Sequence, residues 1–433
     1  MGRDADTFVE IELPASSGAD APVLGLVVHG DVVPVVQSAW SFPPFALTER
    51  GGSLCGRGVA DDKGPLVDAL LLLRALAQAK VRTTHTIRLL VGTTEESSSE
   101  DLTRYLAGHR APDLSLVLDS DFPVIIGEKA WNALAVSSSA LEEWSPDGAL
   151  RVRGIAAGTA TSIVPDEARL LLEGRGARGL VEQLGRAAPS EGFRFVADPS
   201  DARASFTVFG RAAHAGVNLL GGRNALVELA RLVEGHLPPG ATDHLLAFAR
   251  VAGQDVVGTG LGLTEDEPLW GRYAVNVATL QTNPEGVLTL TTNLRRVPPK
   301  SGQQLRLHLE RFVKQFAERR GTTLSVSGYF ESKLWAVSPD APLVRRLLAV
   351  HRKISGKTQR PLVSGGGTYA KRLPNAVPFG LWPNEGPYPG HDVDEAMARA
   401  DLEQGGRIVL AAVLDLATGA RLENPLGERV ALP

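Results

Sequence analysis

The sequence contains a single cysteine, Cys55, among its 433 residues. One thiol excludes a disulfide within the chain and a zinc cluster built from cysteines. Any metal site is therefore expected to use histidine, aspartate and glutamate as ligands.

Long apolar runs and a strong charge of one sign are also absent. No run approaches the roughly 20 apolar residues that cross a bilayer. The N-terminus, "MGRDADTFVEIELPASS", lacks the basic and apolar regions of a signal peptide. The formal net charge of -4 gives no electrostatic reason to expect nucleic acid or an anionic membrane as a partner. We therefore predict a cytoplasmic protein that acts on small molecules.

The chain has the composition of a globular protein, and its length predicts about two to three domains. Its first third alternates apolar strands with helical patterns, which predicts α/β layers. The strands are at 23–28, 86–92 and 114–118, and the helices are at 65–79 and 99–108. The first helix is apolar nearly all round and is expected to be buried against the sheet. We predict an α/β domain with a central sheet flanked by helices, in segments 1–131 and 331–433, interrupted by an inserted α+β domain at 132–330.

Titratable residues follow each of the three predicted strands. His29 and Asp31 follow the first strand, Glu95 and Glu96 the second, and Asp119 the third. The carboxyl ends of parallel strands meet at one edge of a sheet, so their loops should bring these side chains together. Two adjacent glutamates repel unless a cation or solvent relieves the repulsion. A divalent cation would allow one glutamate to bind it while the other takes a proton from water.

Each of these signals also has a plainer interpretation when it is taken alone. The segment around His29 could be a polar turn, the Asp61–Asp62 pair could cap the helix that follows it, and the glutamates could form a solvated acidic turn. The serines at 97–99 are interpreted as caps of the next helix, because no nucleophile-elbow pattern surrounds them. The convergence at one sheet edge, with His391 ahead of the C-terminal helix, favours a metal site.

A series of motifs along nearly the whole chain resembles the dinuclear-zinc metallopeptidase family of carnosinases, bacterial carnosinase-like dipeptidases, aminoacylases and glutamate carboxypeptidases. The motifs are "HGD" (29–31), "WSFPPF" (40–45), "GRGVADDKGP" (56–65), "TTEES" (93–97), "DSDFPVIIGEKA" (119–130), "GRAAHA" (210–215), "NLR" (293–295) and "SGGGTYAKRLPNAVPFG" (364–380), followed by His391. The long insertion is similar to the enlarged lid of the bacterial dipeptidases in this family. The resemblance therefore implies a zinc-peptidase catalytic domain with an inserted lid.

The resemblance also implies two zinc ions, with manganese or cobalt as alternatives. Asp61 is expected to bridge the two ions. His29 and Asp119 are expected to bind one ion, and Glu96 and His391 the other.

Two further acidic residues match catalytic positions of the family. Glu95 resembles the general base, and Asp31 resembles the residue that supports the ligand histidine. The Asp61–Asp62 peptide bond is expected to be cis.

Four residues resemble the family's substrate-binding groups. His214 matches the lid histidine that stabilises the developing oxyanion, and Arg295 matches the arginine that binds the substrate's terminal carboxylate. Gly367 and Thr368 match the loop that holds the same carboxylate through backbone and hydroxyl donors. Without the resemblance, His214 is equally an exposed turn histidine, Arg295 a surface ion-pair partner, and the glycine loop a flexible turn.

The function that the resemblance implies is dipeptide hydrolysis by a monomer, with a homodimer as the alternative. N-acyl amino acid deacylation on the same metals stays open, as does a catalytically impaired homologue that binds metal and peptide. Relatives carry a helical segment before the first strand, whereas the first motif here begins at residue 29. By that comparison we expect a truncated or misassigned start.

Overall fold

The computed structural model describes residues 8–35, 37, 40–138, 148–200, 203–383, 385–386, 388 and 390–433. Helices in these ranges are α1 (Lys63–Gln78), α2 (Glu100–Gly108), α3 (Ala177–Gly185), α4 (Ala225–Leu232), α5 (Ala241–Ala252), α6 (Gly302–Arg320), α7 (Pro342–Ser355) and α8 (Arg399–Thr418). No helix among these residues has the length and apolarity that crossing a membrane requires.

The strands divide between two compact units. Unit 1 contains the described residues up to Glu128 together with Trp335–Leu432, and unit 2 contains Lys129–Leu334. In chain order the strands of the described residues are β1 (Val9–Leu13), β2 (Val23–His29), β3 (Thr48–Arg50), β4 (Ser53–Cys55), β5 (Thr86–Gly92), β6 (Leu114–Val117), β7 (Ser120–Asp121), β8 (Ile125–Glu128), β9 (Ala130–Ser138), β10 (Arg151–Ala157), β11 (Glu167–Glu173), β12 (Arg194–Asp198), β13 (Ala204–Phe209), β14 (Asp266–Glu267), β15 (Gly271–Arg272), β16 (Ala274–Thr282), β17 (Leu288–Arg296), β18 (Ser325–Glu331), β19 (Trp335–Ala336), β20 (Leu362–Ser364), β21 (Ala376–Pro378), β22 (Leu381–Trp382) and β23 (Ala396–Ala398).

The central sheet of unit 1 has the strand order β1-β5-β2-β6-β21. Strand β1 is antiparallel to β5, whereas β2, β5, β6 and β21 run parallel. The register pairs His29 with Gly92 and Val27 with Val117. The carboxyl ends of β2, β5 and β6 therefore lie at the same edge, which is where the sequence predicted the site.

Helices cover both faces of this sheet. Leu24, Leu26 and Val28 of β2 pack into a core with α1, α7 and α8. Val27, on the opposite face, packs into a second core with Tyr105 of α2. Because successive strand residues point to opposite faces, one continuous apolar strand supplies both cores.

Helix α1 is buried against the sheet, as predicted, along one stripe of its residues. It buries Ala69, Leu72 and Leu76, but the side chains of Val67 and Leu71 are 50% and 53% exposed. The helix therefore packs on the sheet along one face, although its sequence is apolar nearly all round. One stripe of apolar residues is enough to attach a helix to a sheet.

Unit 2 contains an antiparallel sheet in the order β12-β13-β11-β10-β16-β17-β9-β18. Helices α3 to α6 pack against its strands. Helix α6 begins at a capping box, in which Ser301 and Gln304 each accept a hydrogen bond from the other's backbone N–H, and it ends at Gly321 in the left-handed region. The predicted fold class, an α/β protein with an α+β insertion, is confirmed.

Candidate metal centre

Loops of unit 1 bring together the five side chains that the resemblance assigned to metal. Their donor atoms form two groups, and within each group these atoms lie within 4.8 Å of one another. The first group contains His29, Asp61 and Asp119, and the second contains Asp61, Glu96 and His391. Asp61 belongs to both groups.

Asp61 presents a different carboxylate oxygen to each group. Its Oδ1 lies 2.8 Å from His29 Nε2, and its Oδ2 lies 3.0 Å from His391 Nε2. His391 Nε2 also lies 2.7 Å from Glu96 Oε1, and His29 Nε2 lies 3.9 Å from Asp119 Oδ2. A carboxylate that bridges two cations requires this division of its oxygens.

The plainer interpretations of these residues are wrong. His29 is 1% exposed, so it does not lie in a solvated turn. The Glu96 side chain is only 10% exposed. Asp62 immediately precedes α1 but makes no side-chain capping bond, and its Oδ2 instead accepts the N–H of His29 at 3.1 Å. The Asp61–Asp62 peptide is cis, as expected from the resemblance.

Asp31 contacts both His29 and the glutamate pair. His29 Nδ1 lies 3.3 Å from Asp31 Oδ1 and 3.1 Å from the Asp31 carbonyl oxygen. These contacts turn His29 Nε2 towards Asp61. The Asp31 carboxylate also accepts the backbone N–H groups of Glu95 at 3.3 Å and Glu96 at 3.1 Å. The sequence predicted the first of these contacts and missed the second.

The site concentrates more negative charge than its histidines neutralise. Burial, reinforced by the charges of Asp61 and Asp62, raises the pKa of the Asp119 carboxyl well above its usual value. Burial also opposes ionisation of Asp61, but the charge of His391 and a hydrogen bond with His29 hold its pKa well below the usual range. The cluster therefore has excess acidic groups that a cation would neutralise.

Glu95 differs electrostatically from its neighbour Glu96. Burial, with repulsion from Glu96 and Asp61 outweighing attraction to His29, raises the pKa of Glu95 to about 8. Glu95 belongs to neither donor group. A carboxylate with a raised pKa, adjacent to a metal ligand, has the properties of a proton acceptor.

The turn that carries the two glutamates is held by Asp101 of α2. The Asp101 Oδ2 atom accepts the N–H groups of Thr93 at 2.7 Å and Thr94 at 3.0 Å, and the hydroxyl of Tyr369 at 2.6 Å. Of the serines predicted to cap α2, Ser99 makes no side-chain capping bond, whereas Ser98 Oγ accepts the N–H of Glu100, the first residue of the helix, at 3.3 Å. Asp101 therefore fixes the turn ahead of α2, a function that sequence reasoning did not assign to it.

Sequence reasoning also missed three residues that contact the donor set. The Tyr388 hydroxyl donates to Asp61 Oδ2, and Glu395 and Arg57 form a buried ion pair at 2.7 Å beside the same loop. Arg57 lies in the "GRGVADDKGP" motif and Glu395 four residues after His391. Only that proximity to recognised motifs could have indicated them.

The donor set fits divalent cations on its own chemistry. It contains two imidazole nitrogens and three carboxylates, which suit zinc and are compatible with manganese or cobalt. Asp62 Oδ1 is buried and has no hydrogen-bond partner among the described residues. A site with this excess of carboxylate oxygens is better matched to cations than to protons alone.

His214 lies in unit 2 on a loop with a defined hydrogen-bond pattern. Its Nδ1 accepts the N–H groups of Gly216 at 3.3 Å and Val217 at 3.1 Å. Because Nδ1 accepts, the neutral ring carries its proton on Nε2. His214 is half-buried, so it is not the exposed turn histidine of the alternative. It is suited to donate a hydrogen bond from Nε2.

Arg295 lies on β17 of unit 2 and is 6% exposed. Its Nε atom has no hydrogen-bond partner, and its guanidinium forms no ion pair, among the described residues of the chain. Burial lowers the pKa of its guanidinium to about 10. The surface ion-pair alternative is therefore wrong, and among the described residues the buried cation lacks the anion that would normally accompany it.

The glycine loop of unit 1, which contains Gly367 and Thr368, is hydrogen-bonded to Glu128. Thr368 donates both its hydroxyl, at 2.8 Å, and its backbone N–H, at 3.2 Å, to the buried Glu128 carboxylate. Gly367 beside it is exposed. The two Thr368 donors predicted for substrate are thus used within the protein, which leaves the part of the loop at Gly367 accessible.

The chain matches the profile of Peptidase family M20/M25/M40 over residues 25–415. It is 28% identical over 432 residues to a Beta-Ala-Xaa dipeptidase from Lactobacillus delbrueckii subsp. lactis, covering 97% of this chain and 87% of that protein.

Two solved structures share the fold. Human carnosine dipeptidase 1 superposes with a TM-score of 0.55 at 16% identity, covering 94% of this chain and 82% of that one. The M20 family metallo-carboxypeptidase Sso-CP2 from Sulfolobus solfataricus superposes with a TM-score of 0.51 at 14% identity, covering 94% and 87%. At these identities the likeness concerns the fold alone.

Proposed function

The chain belongs to Peptidase family M20/M25/M40, and on that premise we propose that it is a dipeptidase. It is a hydrolase of the metallopeptidase class, which confirms the family resemblance seen in the motifs. The proposed substrates are dipeptides or short peptides with a free C-terminal carboxylate. One observation carries the proposal: two donor groups share Asp61, and Glu95 lies next to one of their ligands.

The family is metal-dependent, and we propose two zinc ions for this chain. His29 and Asp119 would hold one, Glu96 and His391 the other, and Asp61 both. Bound there, the cations would lower the pKa of a water molecule and polarise the scissile carbonyl. Asp31 orients His29, so that its Nε2 faces the shared Asp61.

Glu95 is proposed as the general base. It takes a proton from the attacking water and returns it to the leaving amine. The same charges that raise its pKa favour proton uptake, and a bound cation would lower that pKa towards the value needed for turnover. Glu96 stays deprotonated as a ligand, so the adjacent glutamates have different functions.

Unit 2 is proposed as the lid domain and unit 1 as the catalytic domain. In the proposal, His214 donates from Nε2 to the oxyanion that develops on the carbonyl. Arg295 binds the terminal carboxylate of the substrate through paired hydrogen bonds. Its burial without an anionic partner among the described residues supports this assignment. Gly367 is proposed to contribute a backbone donor.

The test compares dipeptides with N-acetyl amino acids as substrates of the zinc-loaded protein. We expect dipeptide turnover, and we expect Glu95→Gln to lower kcat by roughly a hundredfold to ten-thousandfold with zinc still bound. Glu100→Gln is the matched control, because this glutamate is exposed in the first turn of α2.

Three results would count against the proposal. Turnover of N-acetyl amino acids alone would establish a deacylase instead. Zinc binding without turnover of either panel would establish a binding homologue. Equal activity of the Glu95→Gln and Glu100→Gln variants would remove Glu95 from the chemistry.

A further inference from the structure

Glu395 is a buried carboxylate that no metal-binding role explains. It is 1% exposed, and both of its oxygens accept hydrogen bonds. Oε2 accepts from Arg57 Nη1 at 2.7 Å and from Gly58 N at 3.0 Å. Oε1 accepts from Ala60 N at 2.8 Å and from Asp61 N at 3.2 Å. One side chain thus holds the whole loop that ends in the shared Asp61.

Arg57 extends this network to His391. Its Nη2 donates to the His391 carbonyl oxygen at 3.4 Å, and its guanidinium lies 5.0 Å from the centre of the Trp40 ring. His391 has a φ of 65°, a left-handed conformation that disfavours residues other than glycine. Such a conformation persists where the surroundings hold it in place.

The two donor groups depend differently on this network. His29 is the last residue of β2 and Asp119 follows β6, and the register of both strands is set by the central sheet. His391 lies on a loop attached to the rest of unit 1 by the pairing of β23 with β4, by the Glu395 contacts and by the bond from Arg57 to the His391 carbonyl. Loss of the network should loosen Asp61 for both groups, but the group containing His391 also loses the anchor of its histidine and should therefore be disturbed more.

We propose that Glu395, acting through Arg57 and the Asp61 backbone, is a positioning residue for the second cation site, which contains Asp61, Glu96 and His391. This inference rests on the proposed metal centre and deepens it. Glu395 does not touch the cation. It fixes the distance between Asp61 and His391, whose side chains come from segments more than 300 residues apart.

Cobalt titration of the metal-free protein tests the proposal, with calorimetry for affinity and visible absorption for coordination. In Glu395→Gln the amide NH₂ replaces an acceptor and faces N–H donors. We expect this variant to bind the first equivalent of cobalt with almost the wild-type affinity. It should bind the second equivalent roughly tenfold to a hundredfold more weakly than the wild type does. The absorption of the variant at two equivalents should resemble that of the wild type at one.

Two further variants make the result decisive. Arg57→Lys keeps the charge near Glu395 but removes the bond to the His391 carbonyl, so it should also weaken the second equivalent selectively. If Glu395→Gln does not fold, the Arg57→Lys result alone tests whether the network positions the second cation site. Glu49→Gln is the control, because Glu49 lies on β3 of the same small sheet and pairs with Arg399 at the surface. This control should leave both affinities almost unchanged.

The proposal is overturned if both equivalents weaken by the same factor, if neither weakens, or if the wild type binds one cation only. Its failure is distinguishable from failure of the proposed function, because the readout needs no peptide substrate. A wild type that binds two cations but hydrolyses no dipeptide would contradict the proposed dipeptidase function and would leave the positioning role of Glu395 intact.

Discussion

Among single residues, Arg295 illustrates a conflict between stability and binding. A buried guanidinium without an anionic partner among the described residues destabilises the fold, yet it is well suited to a substrate carboxylate. We expect Arg295→Met to raise KM for a dipeptide roughly tenfold to a hundredfold, since a charge-assisted hydrogen bond contributes about 1.5 to 3 kcal/mol. The same variant should have a higher free energy of unfolding, by about 1 kcal/mol or more.

Steady-state kinetics and chemical denaturation measure these two changes. A dipeptide amide, which lacks the carboxylate, should show little difference in KM between wild type and variant. Arg306→Met on the exposed face of α6 is the control and should change neither quantity. A lower stability of Arg295→Met would mean that the guanidinium has an internal structural function.

The proposed metal ligand His391 is expected to make metal binding depend on pH. Burial favours its neutral form, but the Asp61 charge and hydrogen bonds with Asp61 and Glu96 raise the pKa of its imidazole to about 10. Because the folded pKa lies above the unfolded value of 6.5, this histidine stabilises the metal-free protein fully below pH 6.5. That stabilisation is lost as the pH rises through about 10.

Zinc requires the neutral imidazole, so the cation displaces protons when it binds. We expect zinc affinity to increase between pH 6 and 8, with about one proton released per imidazolium ligand. Calorimetry in buffers of different ionisation enthalpy counts the released protons. An affinity that does not change with pH would show that the histidines are already neutral in the metal-free protein.

At the scale of elements, the turn between β5 and α2 depends on a residue of the helix. Asp101 accepts from Thr93, Thr94 and Tyr369 through Oδ2 and from Leu102 N through Oδ1 at 2.6 Å. An asparagine offers one acceptor oxygen, so Asp101→Asn leaves buried N–H donors unsatisfied.

We expect Asp101→Asn to lower the free energy of unfolding by about 2 kcal/mol. We also expect kcat to fall by about tenfold to a hundredfold, because the turn positions Glu95. Urea denaturation and steady-state kinetics measure the two effects. Asp340→Asn, at an exposed ion pair, is the control, and a variant as stable and active as this control would exclude a holding function for Asp101.

The elements that sequence predicted well are those set by local patterns. The apolar-rich runs at 23–28 and 86–92 became parallel strands with their carboxyl ends at one edge, because burial on both faces requires such runs. The contacts of Asp101 with Tyr369 and of Glu395 with Asp61 span 268 and 334 residues. No periodicity encodes such contacts, since they arise from how the finished elements pack together.

At the scale of the whole molecule, the two units have separate sheets, and the donor groups lie in unit 1 alone. A cation that binds only the folded state stabilises it by RT ln(1 + [L]/Kd), about 2.7 kcal/mol at a hundredfold excess over Kd. We expect chelation to destabilise unit 1 by about this amount and to leave unit 2 largely unaffected.

Hydrogen exchange with mass spectrometry checks this prediction, since peptides from β2 and β5 should lose protection while those from β9 and β17 keep it. Equal loss of protection in both units would show that they unfold as one cooperative body, and no loss in either would show that the cations do not bind the donor groups of unit 1.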